Sequence, residues 1–258
     1  MASLIHPTAI VAAGAEIGDG AVIGPYCVVS ANAKIGAGTE LKSHVVIEGH
    51  TTLGEKCVIH PFACVGGRTQ DLKFKGGAPR VEIGDRTTIR EYATVNAATF
   101  DGGVTKVGND CLLMTCSHVA HDCILGNRVI MANSVALAGH IVVEDFVIIG
   151  GLTGVHQFVR LGKMAIIGGM SRVVKDVPPF MMAEGNPLEV ITINSVGLER
   201  AGVSEDVQTA LKNAYKILYR LDLNTKQAME RLRVEIRMLP EVEHLVKFIE
   251  GSERGITK

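Results

Sequence analysis

Tryptophan is absent from this chain of 258 residues, and aromatic side chains make up only 4% of it, which excludes an interior organised around large rings. No apolar run approaches the roughly 18 residues of a membrane span, so no transmembrane segment is expected. The opening stretch, MASLIHPTAIVAAGAE, has no basic region ahead of an apolar one, so no signal peptide is expected. A net charge of −1 gives no footing for nucleic acid. The six cysteines include no CxxC pair, so neither a disulfide framework nor a metal knuckle is expected. These absences point to a soluble, non-secreted protein.

What the chain does have is a fixed period. An aliphatic residue falls on every sixth position from Ile5 through Val11, Ile17, Ile23, Val29, Ile35, Leu41, Ile47, Leu53 and Ile59 to Val65. The frame returns at Ile83, Ile89 and Val95, and runs again from Val107 through Leu113, Val119, Leu125, Met131, Leu137, Val143, Ile149, Val155, Leu161 and Ile167 to Val173. An ordinary α/β domain has no reason to keep such a register, whereas a hexapeptide-repeat coil does. Four residues after each aliphatic the chain tends to be slim, as at Ala21, Cys27, Ala33, Thr39, Cys57, Cys111 and Cys123, so both positions are expected to point inward. Three hexads close a triangular turn of about 18 residues, stacked about 4.8 Å from the next, so residues about 18 apart lie one above another. The glycines that follow many aliphatics, among them Gly18, Gly36, Gly54, Gly84, Gly108 and Gly126, are expected at corners of positive φ.

The frame breaks twice, and Gly66 to Arg80 and Ala97 to Lys106 are expected to leave the coil as loops, where binding residues concentrate on a rigid scaffold. After Val173 the period stops. Ser204, followed by Glu205 and Asp206, reads as a helix N-cap, with apolar residues at helical spacing from Val207 to Leu221. A second helix is expected from Asn224 to Leu239, and a third from Pro240 to Gly251. The expected fold is therefore mainly β: a left-handed parallel β-helix over residues 1–186, then a small C-terminal α-helical domain over residues 187–258.

Histidines supply the candidate chemistry. His118, His121, His140 and His156 fall within about two turns of coil, and the stacking places His121, Gly139 and Gln157 in one vertical row with His140 above Asp122. An imidazole beside a carboxylate, with a backbone N–H one turn up, suits a general base facing a developing oxyanion. Zinc binding through His118, His121 and Asp122, as gamma-class carbonic anhydrases bind it on a hexapeptide coil, is the rival reading, and structural histidines are a third.

The segments LLMTCSHVAHDCILGN, LAGH, IIGG and VHQF, with QDLKFKG, VEIGDRTTIRE, NAYKILYR and ERGI, resemble bacterial UDP-N-acetylglucosamine acyltransferases from Ile5 to the C-terminus. The resemblance implies a cytoplasmic homotrimer that moves an (R)-3-hydroxyacyl group from acyl carrier protein to the 3-hydroxyl of UDP-N-acetylglucosamine, opening lipid A biosynthesis without cofactor or metal. It makes His121 the general base, Asp122 its orienting partner and the Gly139 N–H the oxyanion donor. It assigns Asp71, Lys73, His118, His140, His156 and Gln157 to the sugar nucleotide or acyl chain, and Asn194 and Arg200 to the uridine and phosphate portion. Gly169, beside Met170, falls on the position that measures acyl length, where glycine implies a longer chain.

The chain departs from the family pattern in reading Asn96-Ala97-Ala98-Thr99 for HRGT, and in carrying Val196 and Ala201. These departures leave a 3-amine acceptor, giving N-acylation, as an alternative to the 3-hydroxyl. Arg160, Lys163, Arg172 and Lys175 are expected to cluster at the mouth of the acyl groove and dock the acidic carrier protein.

Overall fold

A computed structural model describes residues 2–258. Two-residue strands recur through the coil and stack into three parallel sheets, one per face of a triangular prism. Leu112–Leu113 lies on the first face, His118–Val119 on the second and Ile124–Leu125 on the third. Each pairs in parallel with the strand one turn on, as Val119 does with Leu137 and Leu137 with Val155. The prism is the left-handed parallel β-helix that the period predicts.

The aliphatic positions fill its axis. Ile59, Ile89, Leu113, Met131 and Ile149 stack inside the first face, and Leu53, Ile83, Val107, Leu125 and Val143 inside the third, all buried. Each fully buried Leu or Ile contributes about 1.5–3 kcal/mol against exposure, so the column of aliphatics supplies most of the driving force. The slim positions pack beside them. Burial pushes the thiols of Cys111 and Cys123 up to about 11 and about 12, so these cysteines are neutral, inert filler.

The corners correct the expectation about glycine. None of Gly18, Gly36, Gly54, Gly84, Gly108 and Gly126 has positive φ; the left-handed residue is three after most of the aliphatics, as at Tyr26, His44, Phe62, Asp122, His140 and Phe158. The glycines are required by close approach instead. A Cβ on Gly36 would lie 2.2 Å from Gly54 O of the next turn, and one on Gly108 would lie 2.3 Å from Gly126 O. At the corner between the third and first faces, side-chain oxygens reach down a turn: Asp85 Oδ1 accepts from Glu55 N–H, Asn109 Oδ1 from Asp85 N–H, and Asn127 Oδ1 from Asn109 N–H.

The two loops are shorter than the broken frame suggests. Cys64–Gly67 and Arg80–Ile83 are strands, so the first excursion is 68–79; Thr94–Asn96 and Val104–Val107 are strands, so the second is 97–103. Thr94 pairs with His118 but Lys106 with Ile124, so the second loop inserts the equivalent of one hexad.

Beyond Arg172–Val173, Met181–Glu184 adds a last parallel strand to the first face and Glu189–Ile193 returns antiparallel to it. Four helices follow: α1 Ser195–Arg200, α2 Glu205–Tyr219, α3 Thr225–Glu235 and α4 Pro240–Glu250. Helix α2 starts at the Ser204 cap and α4 carries Pro240 in its first turn, as the sequence predicts. Helix α3 stops at Glu235 rather than Leu239, because Ile236 turns to extended backbone with its side chain buried. The sequence reading missed α1 and the hairpin before it.

The tail is fastened to the coil. Asp176 accepts from Arg160 N–H and Ser252 Oγ, and His244 on α4 meets Glu144 at 2.7 Å. Burial opposes ionisation of Glu144, but the hydrogen bonds from His244 and the Lys163 N–H outweigh it and hold the carboxyl below its ordinary range. Among the described residues no helix is long and apolar enough to cross a membrane.

Candidate active site

His121 and Asp122 occupy the corner between the second and third faces, just past the strand His118–Val119. Register places Gly139 above His121 and His140 above Asp122, and His140 N–H donates to His121 O at 3.1 Å. The vertical row read from the sequence is thus present.

His121 Nδ1 lies 2.9 Å from Asp122 Oδ2, with side chains only 14% and 6% exposed. A carboxylate only accepts, so this contact places the ring proton on Nδ1 and leaves the Nε2 lone pair free. The His121 ring lies against the backbone of Gly139, where a Cβ would stand 2.1 Å from Cε1 and 2.5 Å from Nε2. Gly139 is buried, and no acceptor among the described residues takes its N–H. A buried unpaired N–H beside an imidazole is a donor in want of a partner.

His140 stands edge-on to His121 with ring centroids 5.1 Å apart, and stacks on Phe158 at 4.7 Å. Its Nε2 is 3.7 Å from Asp122 Oδ2. His121, Asp122 and His140 offer ligand atoms within 4.8 Å of one another, so a divalent ion could be seated there at the expense of the His121–Asp122 hydrogen bond. His118 contacts Thr94 Oγ1 at 2.7 Å, and burial, aided by the nearby His121, pushes its imidazole below the ordinary histidine range.

An apolar groove of about 410 Å³ runs along the second face beside this corner. Its lining includes His118, Ala120, Ala138, Gly154, His156 and Arg172. The groove thus gathers His118 and His156 next to the His121 cluster, and Gln157 is exposed at the same corner.

Other candidates lie elsewhere within one chain. Asp71 and Lys73 are on the first loop, where Asp71 Oδ1 accepts from Lys73 N–H in a local turn. Gly169 is exposed at the corner between the first and second faces, across the second face from His121. Asn194 is buried and fully engaged: Oδ1 caps α1 at Gly197 N–H and Nδ2 donates to Met164 O. Arg200 is exposed at the end of α1.

The four basic residues expected to cluster are separated. The Arg160 guanidinium donates to Gly251 O at 2.9 Å and lies 4.2 Å over the Phe248 ring, so it clamps α4. Lys163 turns toward the cavity shared with Glu144 and His244. Only Arg172 and Lys175 stand together, near Lys258. Arg160 to Arg172 is about two sides of a triangular turn, so residues close in sequence here face different directions.

Two residues that the sequence reading left without a role belong to the site. Thr99 donates its hydroxyl to Asp122 Oδ2 at 2.6 Å, and Thr105 Oγ1 accepts the Asp122 N–H at 2.8 Å. The interrupted register before Val107 marked the segment but not these contacts.

The family described as Udp N-acetylglucosamine O-acyltransferase, Domain 2, matches residues 176–257. The acyl-(acyl-carrier-protein)–UDP-N-acetylglucosamine O-acyltransferase of Thermodesulfovibrio yellowstonii is 49% identical over 98% of this chain and 99% of its own. That of Myxococcus xanthus is 48% identical over the same shares. The solved structure of LpxA from Acinetobacter baumannii superposes with a TM-score of 0.95 at 43% identity, covering 99% of this chain and 100% of that one.

Proposed function

The chain belongs to the acyl-(acyl-carrier-protein)–UDP-N-acetylglucosamine O-acyltransferases, and on that footing we propose that it moves an (R)-3-hydroxyacyl group from acyl carrier protein to the 3-hydroxyl of UDP-N-acetylglucosamine, the first step of lipid A biosynthesis, with His121 as the base. The observation that carries this reading is the His121 Nδ1 contact with Asp122, which frees Nε2 beside the unpaired Gly139 N–H and an apolar groove.

In this mechanism Nε2 takes the proton of the sugar hydroxyl as its oxygen attacks the thioester carbonyl. Asp122 stabilises the imidazolium, and the Gly139 N–H faces the oxyanion. Collapse expels the carrier-protein thiolate, which recovers the proton from His121, so an ester and a free thiol leave. His118, held neutral by burial, and His156 line the path of the acyl chain.

The remaining assignments need more than one chain. A homotrimer brings the edge of one copy, with Gly169 and the first loop bearing Asp71 and Lys73, against the groove of the next. Gly169 then closes the groove loosely and admits a longer acyl chain. Gln157 and His140 meet the sugar, Arg200 meets the phosphates, and Asn194 serves them by fixing α1. Arg172 and Lys175 form the basic dock for acyl carrier protein. The coil of residues 1–186 and the helical domain of residues 187–258 divide this labour, with the whole working in the cytoplasm where the carrier protein is available.

The test is incubation with UDP-N-acetylglucosamine or its 3-amino analogue and a ladder of 3-hydroxyacyl carrier-protein donors, with products read by mass spectrometry. An ester of a long 3-hydroxyacyl chain is expected. An amide made only from the amino analogue would move the acceptor to the amine, and silence with every donor from folded protein would overturn the reading.

A further inference from the structure

Asp122 holds φ at 59°, a left-handed backbone that a non-glycine residue keeps only when its surroundings determine it. Thr105, wholly buried on the strand Val104–Val107, accepts the Asp122 N–H and fixes the main chain. That bond leaves the carboxylate free to turn about χ2, a broad torsion for aspartate. Two imidazoles compete for its Oδ2: His121 Nδ1 at 2.9 Å and His140 Nε2 at 3.7 Å. A carboxylate turned toward His140 would release the proton on His121 Nδ1 and with it the tautomer that leaves Nε2 basic.

Thr99 decides between them. Its hydroxyl donates to Asp122 Oδ2 at 2.6 Å and its N–H stands 3.3 Å from both carboxylate oxygens, so the group is held from the side by the second loop. The loop is itself braced: Ala97 N–H donates to Gly67 O, and the first loop's Ala78 N–H donates to Asp101 Oδ1, both at 2.8 Å. Asn96 Nδ2 donates to Arg68 O on the same side.

We infer that Thr99 is a positioning residue for the transfer, donating to Asp122 so that its carboxylate stays on His121 and the base keeps its working tautomer. The inference rests on the reading of His121 as base. It also gives the second interruption of the coil a purpose, because the inserted hexad carries this hydroxyl up to the corner above it.

Steady-state kinetics with UDP-N-acetylglucosamine and a 3-hydroxyacyl carrier protein test this on the full-length protein. Thr99→Val is expected to lower kcat by about 10–100-fold with KM for both substrates within about twofold, the pattern of a group that acts only in the transition state. Thr99→Ser, which keeps the donor, should retain about one-third of kcat or more. In an Asp122→Asn background, adding Thr99→Val should cost less than about twofold more, because residues acting through one another are not additive.

Unimpaired turnover by Thr99→Val, or losses that multiply in the double variant, would overturn the inference. Circular dichroism and thermal melting identify a Thr99→Val protein that has not folded, in which case Thr99→Ala takes its place with the same expected loss. His121→Ala runs alongside. Full turnover by that variant removes the base assignment itself, whereas a dead His121→Ala with an active Thr99→Val removes only the role of Thr99.

Discussion

The corner between the first and second faces and the corner between the second and third are built alike. From Tyr26 to Met170 at the first, and at Asp122, His140 and Phe158 at the second, the residue three after the aliphatic takes a left-handed φ. At the first of these corners Tyr26, His44, Phe62 and Tyr92 form an exposed ladder with successive centroids 5.0, 4.9 and 5.0 Å apart. At the second, the same positions hold Asp122, His140 and Phe158, with His140 stacked on Phe158 at 4.7 Å. His44 and His140 are thus in equivalent backbone sites between ring neighbours, yet among the described residues only His140 has a carboxylate in reach. The first corner carries a ladder and the second a single stacked pair; on the proposed mechanism, chemistry arises where the preceding residue is His121, the residue above that is Gly139, and a loop threonine holds the carboxylate.

The sharpest way to break this contrast is to fill the space above His121. Gly139→Ala puts a methyl where the imidazole lies, so kcat should fall by about 100-fold, the cost of about 1 Å of misplacement, while the melting temperature changes little. An active Gly139→Ala enzyme would mean that the ring position is not critical.

Next in size is the pair of equivalent histidines. His140→Ala should lower kcat/KM by about tenfold or more, and His44→Ala should stay within about twofold, each read from initial rates. Equal losses would erase the distinction between the corners.

Smaller again is the ladder's own contribution. Phe62→Ala removes one ring stacked on two neighbours and should cost about 1–2 kcal/mol in urea denaturation. No change in midpoint would show that the stack is incidental.

The smallest effect is in pH. The imidazole of His118 is pushed down by burial, so the unfolded chain binds this proton first as pH falls. Its stabilising share is therefore complete above the unfolded value of about 6.5 and is lost as pH falls from there toward the folded value. Melting temperatures between about pH 7 and pH 5 should fall less steeply for His118→Gln than for the parent protein.

The coil was legible because its signal is redundant: each of the stops from Ile5 to Val173 repeats the same inward demand, and the structure buries nearly all of them beyond the first turns. Stacking arithmetic then placed His121 under Gly139 without any tertiary information. The corner backbone was misread because Gly36 and its kind look like turn formers, whereas close approach to the next turn is what requires them. Helix α1 was hidden by its length of 6 residues, too short to show a period, and by a cap, Asn194, already assigned to another task. The basic cluster failed because Arg160 is taken up by Phe248 and Gly251, partners on α4 that no local pattern reveals. Thr99 escaped for the same reason: its partner, Asp122, is reached only through a loop that leaves the repeat.

The proposed mechanism stands or falls with His121, set by Asp122 and pressed against Gly139, as the base for acyl transfer. Single-turnover transfer from a 3-hydroxyacyl carrier protein to UDP-N-acetylglucosamine by His121→Ala, in protein shown to be folded and to bind the sugar nucleotide, tests it most directly. A fall in rate by about 10²–10⁴-fold with binding retained is the predicted result. Transfer at the parent rate would remove His121 from the reaction.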